Sequence, residues 1–262
     1  MHGSLSMDVP LRVCTFNVRL DVSSDGPDNW QRRRSLVSQL VNELAVDVIC
    51  VQEPLPHQFE WLVDHVTGLD WYGVPRRGHK AGERVAIGWR SDRFDPISCE
   101  TRWLSETPDR PSTGWDAEIP RTATAVRLLD WDRDGSPLAI WGTHFDHQGS
   151  TAQAESARLL ARWCPTDVPA VLLGDFNVPR GDPPMAVLAD EAAVDDARDV
   201  ADEVVGPTGT THGFDGDARA PIDHVFVSAS IAVDRVETVA TNTDGRYPSD
   251  HFPVVADLSF PS

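Results

Sequence analysis

The sequence predicts a mixed, largely antiparallel α/β protein. Three observations carry this. Apolar, strand-like runs outnumber amphipathic helical stretches. Many neighbouring strand runs are joined by connections too short for a helical crossover, which parallel neighbours require. No internal repeat, low-complexity tract or long linker interrupts the pattern. One domain over residues 11–262, preceded by a short tail at 1–10, accounts for it, a size within the range of single domains.

The strand runs fall at 11–16, 47–52, 84–90, 94–104, 121–130, 137–143, 168–173, 223–229, 231–239 and 252–260. Helices are expected at 30–45, 56–66, 151–163 and 183–201. The first, WQRRRSLVSQLVNELA, sets Leu36, Leu40 and Leu44 four apart on one face. Its run Arg32-Arg33-Arg34 reads as the solvated face, with phosphate contact as the rival reading. TAQAESARLLARW is a second amphipathic helix. Pro and Gly are scattered between these stretches as turn punctuation.

The totals narrow the function classes. The net charge of −18 over 262 residues does not suit a protein that coats nucleic acid. Lys80 is the only lysine, whereas Asp and Glu are spread along the chain. An acidic, lysine-poor surface suits a salt-rich cytoplasm, where salt screens self-repulsion, so a halophilic source is expected. No apolar run approaches the ~18–20 residues of a membrane span. MHGSLSMDVP lacks the basic start and apolar stretch of a secretory signal, and Met7 is an alternative start. The expectation is a cytoplasmic protein with no membrane association, acting as a monomer. Cys14, Cys50, Cys99 and Cys164 form no C-x-x-C pair, so neither a disulfide framework nor a zinc site is expected.

The polar residues at the strand ends point to chemistry. LRVCTFN ends in Asn17, DVICVQE in Glu53, PLAIWGTH in His144, and VPAVLLGDFN in Asp175 and Asn177. Other runs begin with such residues: ERVAIGW with Glu83, RTATAVRLL with Arg121, IDHVFVS with Asp223, and DHFPVVADL with Asp250 and His251. If the second group runs antiparallel to the first, these side chains meet at one rim. One such strand is a turn, since Gly-Asp-Phe-Asn is ordinary turn chemistry. Eight make a site. Oxygen ligands without thiolates suit a hard cation, Mg²⁺ or Mn²⁺. With imidazole and guanidinium groups beside it, such an ion suits an anionic phosphate ester, attacked by water with Asp175 as base.

The set Asn17, Gln52-Glu53, Glu83-Arg84, Thr143-His144-x-Asp146, Gly174-Asp175-Phe176-Asn177, Asp223-His224 and Ser249-Asp250-His251 resembles the endonuclease/exonuclease/phosphatase superfamily. That superfamily includes pancreatic-type deoxyribonucleases, abasic-site endonucleases, poly(A) deadenylases, sphingomyelinases and inositol-phosphate phosphatases. The resemblance spans residues 11–260. FDPISCETRWLSETPD and GWDAEIPR add likeness to a prokaryotic branch related to deadenylase-type members.

The resemblance implies a four-layer sandwich of two packed, mostly antiparallel sheets flanked by helices. It also implies roles. Glu53 is the principal metal ligand, Asn17 orients water at the metal or ligates weakly, and Asp250 lies near the metal. Asp175 activates water, and Asn177 holds the phosphate or that water. His251 bonds a phosphoryl oxygen and is oriented by Asp223. His144 holds the phosphate from the other side, with Glu83 as its carboxylate partner. Arg121, Asp146, His147 and Trp115 are candidates for substrate contact, and a structural salt bridge is an equal reading for Arg121. Trp103 reads as core. His224 should point to the opposite face of its strand and pack. The expected reaction is hydrolysis of a phosphodiester in a single-stranded nucleic acid or nucleotide, or of a phosphomonoester. The alternatives are a small phosphorylated metabolite, a phospholipid head group, or a non-catalytic binding module.

Overall fold

A computed structural model describes residues 10–78 and 81–261. The expected N-terminal tail and Lys80 lie outside these, apart from Pro10. The strands are β1 (Leu11–Asn17), β2 (Val48–Gln52), β3 (Leu69–Tyr72), β4 (Val85–Arg90), β5 (Phe94–Trp103), β6 (Thr122–Asp130), β7 (Ser136–His144), β8 (Ala170–Asp175), β9 (Val194–Asp196), β10 (Glu203–Val205), β11 (Asp223–Ser228), β12 (Ala232–Thr238) and β13 (Val254–Ser259). The helices are α1 (Trp30–Leu44), α2 (Pro56–His65), α3 (Ser150–Trp163), α4 (Pro183–Ala192) and α5 (Ala197–Val200).

Among the described residues these strands make a seven-stranded sheet, β10-β12-β13-β1-β2-β4-β3, and a six-stranded sheet, β5-β6-β7-β8-β11-β9. Only the pairs β1–β2, β7–β8 and β10–β12 run parallel. The two sheets pack face to face. Leu11, Val13, Val48, Cys50 and Ile87 of the first meet Val126, Ile140, Val171, Leu173 and Val225 of the second. Alternate residues point the other way. Cys14, Phe16, Ile49 and Val51 pack under α1 and α2, and Ala170, Leu172 and Phe226 pack under α3 and α4. Four layers result. Central strands are buried on both faces, which is why they read as unbroken apolar runs.

Three short strands, β3, β9 and β10, depart from the sequence reading. The helix expected at 183–201 is broken. Ala193 takes a left-handed conformation at φ 52°, and residues 194–196 become an edge strand against β11. Asp196 then caps α5 by accepting from Arg198 N–H at 2.9 Å. The edge strand β3, LDWY, was not expected either; with only four residues it carries too little pattern to stand out.

Away from the polar rim the sheets are tied by a buried ion pair. Arg93, 2% exposed, gives two 2.8 Å hydrogen bonds to the fully buried Asp130. It also reaches Asp47 at 3.1 Å. Removing Arg93 strands the fully buried Asp130 without its counter-charge. Arg93→Ala is therefore expected to cost about 3–5 kcal/mol of stability, read from thermal melts. A change below about 1 kcal/mol, the size of an exposed pair, would contradict this role.

Candidate active site

The mixed topology brings strand ends and strand starts to one rim. β1, β2, β7 and β8 arrive carrying Asn17, Glu53, His144 and Asp175. β11 leaves from Asp223, and β13 follows Asp250 and His251. In the β8–β11 pairing Asp175 lies directly opposite Asp223, so two carboxylates become cross-strand neighbours.

Asn17, 1% exposed, bridges the centre. Its Nδ2 donates to Glu53 Oε1 at 3.1 Å and to Asp175 Oδ2 at 2.9 Å, and its Oδ1 accepts from Arg19 N–H at 2.9 Å. Glu53 sits just past β2 in a left-handed conformation, φ 73°. Its Oε2 accepts from Leu20 N–H at 2.8 Å. Asp175 Oδ1 accepts from Asn177 N–H at 2.9 Å. Asn177 is also left-handed, φ 51°, and donates from Nδ2 to Phe145 C=O at 3.0 Å. Neutral donors thus hold both carboxylates in place without cancelling their charge.

Asp223 Oδ2 lies 2.8 Å from His251 Nδ1. Burial alone would depress the His251 pKa. The Asp223 charge and hydrogen bond outweigh it, Asp175 and Asp250 add to them, and the pKa rises to about 10. Burial, then the neighbouring Asp223, lift Asp175 to about 7. Asp250 is raised by burial, against the pull of His251 and Arg19; Arg19 Nη1 stands 3.7 Å from its Oδ2. His144 Nε2 is 3.5 Å from Asp175 Oδ2. Burial, reinforced by Arg121, holds His144 well below its usual pKa, so the ring is neutral at pH 7.

The donor set fits a hard cation. Asp175, Asp223 and His251 meet within 4.8 Å of one another, but a cationic His251 cannot ligate and the Asp175 oxygens already accept from Asn17 and Asn177, so an ion falls to the neighbouring carboxylates. Asp223 Oδ1 is buried with no hydrogen-bond partner in the structure. Glu53 and Asp250 bring further anionic oxygens to the same rim. Buried, uncompensated carboxylate oxygen without thiolate is the environment a divalent ion neutralises.

Several expectations are corrected. Glu83 does not hydrogen-bond His144; its Oε2 pairs with Arg76 Nη1 at 2.7 Å. Burial and Glu53 raise the Glu83 pKa, which makes the guanidinium the better partner. Asp146, 1% exposed, spends its oxygens on the backbone N–H groups of Glu118, Gln148 and Gly149 at 3.2, 3.0 and 2.7 Å. It therefore shapes two loops, its oxygens already taken by backbone donors.

Arg121 leans on Asp146 only at 3.8 Å and on His147 Nδ1 at 3.2 Å. With Glu118 beside His147 at 3.3 Å, Arg121 and His147 form a flank next to the centre. Trp115, half-buried at φ 49°, lies on the preceding loop and makes no described contact with the central residues. Trp103 is core, 6% exposed, and its indole N–H donates to Arg76 C=O. His224 is buried on the opposite face, with Nε2 2.9 Å from Val178 C=O.

The arginine run is also corrected. Arg32 is exposed, but Arg33 is 1% exposed. The signal was present: Trp30, Arg33, Val37, Leu40 and Leu44 follow the helical period. Arg19, which reaches Asp250, and Gln58, fully buried beneath Arg19 C=O at 2.9 Å, carried no such signal.

The chain matches the sequence profile described as "Endonuclease/Exonuclease/phosphatase family" over residues 14–251. A solved endonuclease/exonuclease/phosphatase family protein from Bacteroides thetaiotaomicron is 33% identical. That comparison covers 98% of this chain and all of the other, with a TM-score of 0.93. A mannosyl-6-phosphatase from the same organism is also 33% identical, covering 95% of this chain and all of the other, with a TM-score of 0.89. Nocturnin of Mus musculus is 22% identical over 96% of this chain and 66% of its own length. The chain spans about three fifths to two thirds of the length of the curated relatives it matches. No helix among the described residues is long and apolar enough to cross a membrane. With the profile covering most of the chain and the sandwich shared end to end, this chain belongs to the Endonuclease/Exonuclease/phosphatase family.

Proposed function

We propose that the protein is a divalent-metal-dependent phosphoester hydrolase, using Mg²⁺ or Mn²⁺, that attacks phosphorus with water in line. The observation that carries this is the convergence of Asp175, Asp223 and His251 within 4.8 Å, beside an Asn17 that touches both Glu53 and Asp175. Asp175 takes the proton of the attacking water. A pKa near 7 suits a general base at neutral pH. Asn17 and the Asn177 N–H hold that carboxylate still. His251, cationic and fixed through Nδ1 by Asp223, donates from Nε2 to a phosphoryl oxygen as charge develops there. The neutral His144 stands on the Asp175 side and orients the phosphate. Glu53, with Asp250 and Asn17, would hold the divalent ion, which supplies positive charge at the phosphoryl group and acidifies water.

The substrate we favour is a small phosphorylated metabolite, a sugar phosphate first. Two observations support it over nucleic acid. The chain carries net charge −18 without a basic stripe, and one relative at 33% identity is a mannosyl-6-phosphatase. The test is a panel with Mg²⁺ and Mn²⁺ at low and high salt, spanning hexose phosphates, dinucleotide cofactors, single-stranded RNA and DNA, and duplex DNA. Turnover of hexose phosphates with a shallow salt dependence of KM is expected, since few phosphates are neutralised. Preferred turnover of duplex DNA with a steep salt slope would overturn the choice.

Glu53→Gln tests the metal assignment. The amide loses the charge and sets a donor against either Asn17 Nδ2 or Leu20 N–H. The Mg²⁺ midpoint is expected to rise at least about tenfold, with unchanged circular dichroism. An unaltered midpoint would remove Glu53 from the metal site.

A further inference from the structure

Arg33 projects from α1 into a place where no carboxylate meets it. Its four donor contacts all go to backbone carbonyls. Nε donates to Asp28 C=O at 3.0 Å, Nη1 to Val18 C=O and to Pro248 C=O at 3.0 Å, and Nη2 to Arg19 C=O. Trp30 and Phe214 lie near the guanidinium, ring centroids 5.2 and 5.7 Å from its carbon. A buried guanidinium with no carboxylate in ion-pair contact is costly to desolvate, Asp250 and Asp25 acting on it only from a distance, so its placement calls for an explanation beyond filling space.

The carbonyls it grips are specific. Each peptide unit is planar, so fixing a carbonyl fixes the N–H on its other side. The Val18 carbonyl shares its plane with Arg19 N–H, which donates to Asn17 Oδ1 at 2.9 Å. The Arg19 carbonyl shares its plane with Leu20 N–H, which donates to Glu53 Oε2 at 2.8 Å. The same guanidinium, sharing the Arg19 carbonyl with Gln58 Nε2, therefore joins both backbone donors that aim Asn17 and Glu53. Arg19 is also held at φ 56°, a conformation that persists only where surroundings impose it.

The Arg33 bond to the Pro248 carbonyl reaches the opposite half of the centre. Pro248 precedes Ser249, Asp250 and His251. Ser249, fully buried, closes the same junction by donating to Asn17 C=O at 2.6 Å.

We propose that Arg33 is a positioning residue that locks the Asn17–Glu53 side of the centre to the Asp250–His251 side, acting through three backbone segments and touching no substrate. Its planar fork is what the task needs. A lysine ammonium is a point donor and cannot hold the Val18, Arg19 and Pro248 carbonyls in one plane. The functional part of this proposal rests on the metal-dependent hydrolase reading.

The test compares wild type with Arg33→Lys below the melting temperature of both. Three quantities are measured: the Mn²⁺ midpoint by electron paramagnetic resonance without substrate, kcat and KM, and amide hydrogen exchange. The Mn²⁺ midpoint is expected to rise about tenfold or more and kcat to fall, with KM for substrate little changed. Exchange of the Arg19 and Leu20 amides should quicken about a hundredfold, while strands β7 and β8 keep their protection. A lower melting temperature with the Mn²⁺ midpoint and both amides within about twofold of wild type, the scale of ordinary variation, would overturn the proposal and leave Arg33 a fold anchor. Should Arg33→Lys fail to fold, the wild-type guanidinium decides by ¹⁵N NMR. Separate, slowly exchanging Nη signals support the clamp; averaged, freely rotating ones overturn it. If wild type neither binds Mn²⁺ nor cleaves a phosphoester, the hydrolase reading fails. The Arg19 and Leu20 exchange then still decides whether Arg33 positions these donors.

Discussion

Asp175→Asn should lower kcat by about 10³–10⁴-fold while the Mg²⁺ midpoint moves by less than about threefold, because the base and the metal site are different groups. The amide cannot take a proton from water at any working pH. It remains isosteric and keeps an acceptor for Asn177 N–H, so the β8 terminus stays in place. The cost is concentrated on Asn17, whose Nδ2 would meet the new amide NH₂ in place of an acceptor. Asn17 can relieve this by leaning on Glu53 alone. Single-turnover rates at saturating Mg²⁺, with metal binding measured separately, separate the two effects. A variant retaining a tenth of wild-type kcat would show that Asp175 is not the base.

Asp223→Asn should lower kcat at neutral pH by about 10²–10³-fold, the worth of one well-placed cationic donor, and move the whole pH profile downward. The sign follows from two groups. In wild type His251 is cationic up to about pH 10, so activity fails on the basic side as the ring deprotonates. Without Asp223 the burial that depresses the ring is no longer outweighed, and the basic limb falls toward or below the ordinary histidine value of about 6.5. Asp175 is raised to about 7 by burial and by Asp223. Removing that charge eases its ionisation, so the acid limb also moves down. The measurement is kcat against pH for both proteins at saturating Mg²⁺. A profile that keeps its basic limb would show that Asp223 does not set the charge of His251.

The strand ends made the centre legible. Central strands buried on both faces appear as apolar runs, and an abrupt Asn17, Glu53, His144 or Asp175 at the end of such a run has few structural uses. The antiparallel returns supplied Asp223, Asp250 and His251. What escaped notice depends on long-range geometry or on breaks without a marker. Whether Glu83 pairs with His144 or Arg76 depends on the bridge between Pro75 and Arg84, which sets Arg76 against Glu83 and which no local pattern encodes. The break at Ala193 has neither Gly nor Pro to announce it. Arg33 was hidden by its neighbours, since three arginines in a row suggest solvent even when the helical period places the middle one inside.

The place of β13 between β12 and β1 has a consequence for biosynthesis. Leu11 pairs with Leu258 and Thr15 with Val254, so β1 finds one of its two neighbours only after residues 254–259 have been made. A ribosome-bound chain therefore carries β1 and β12 with open edges, and such edges invite association with other chains. Until residues 250 and 251 are made it also lacks Asp250 and His251, so the polar rim stays incomplete whatever else has folded. Closing so long a loop is slow, because the entropy of bringing distant segments together is spent before the contacts form. β1 and β12 therefore stay open until β13 pairs, and the two strands are bridged in one step by that strand.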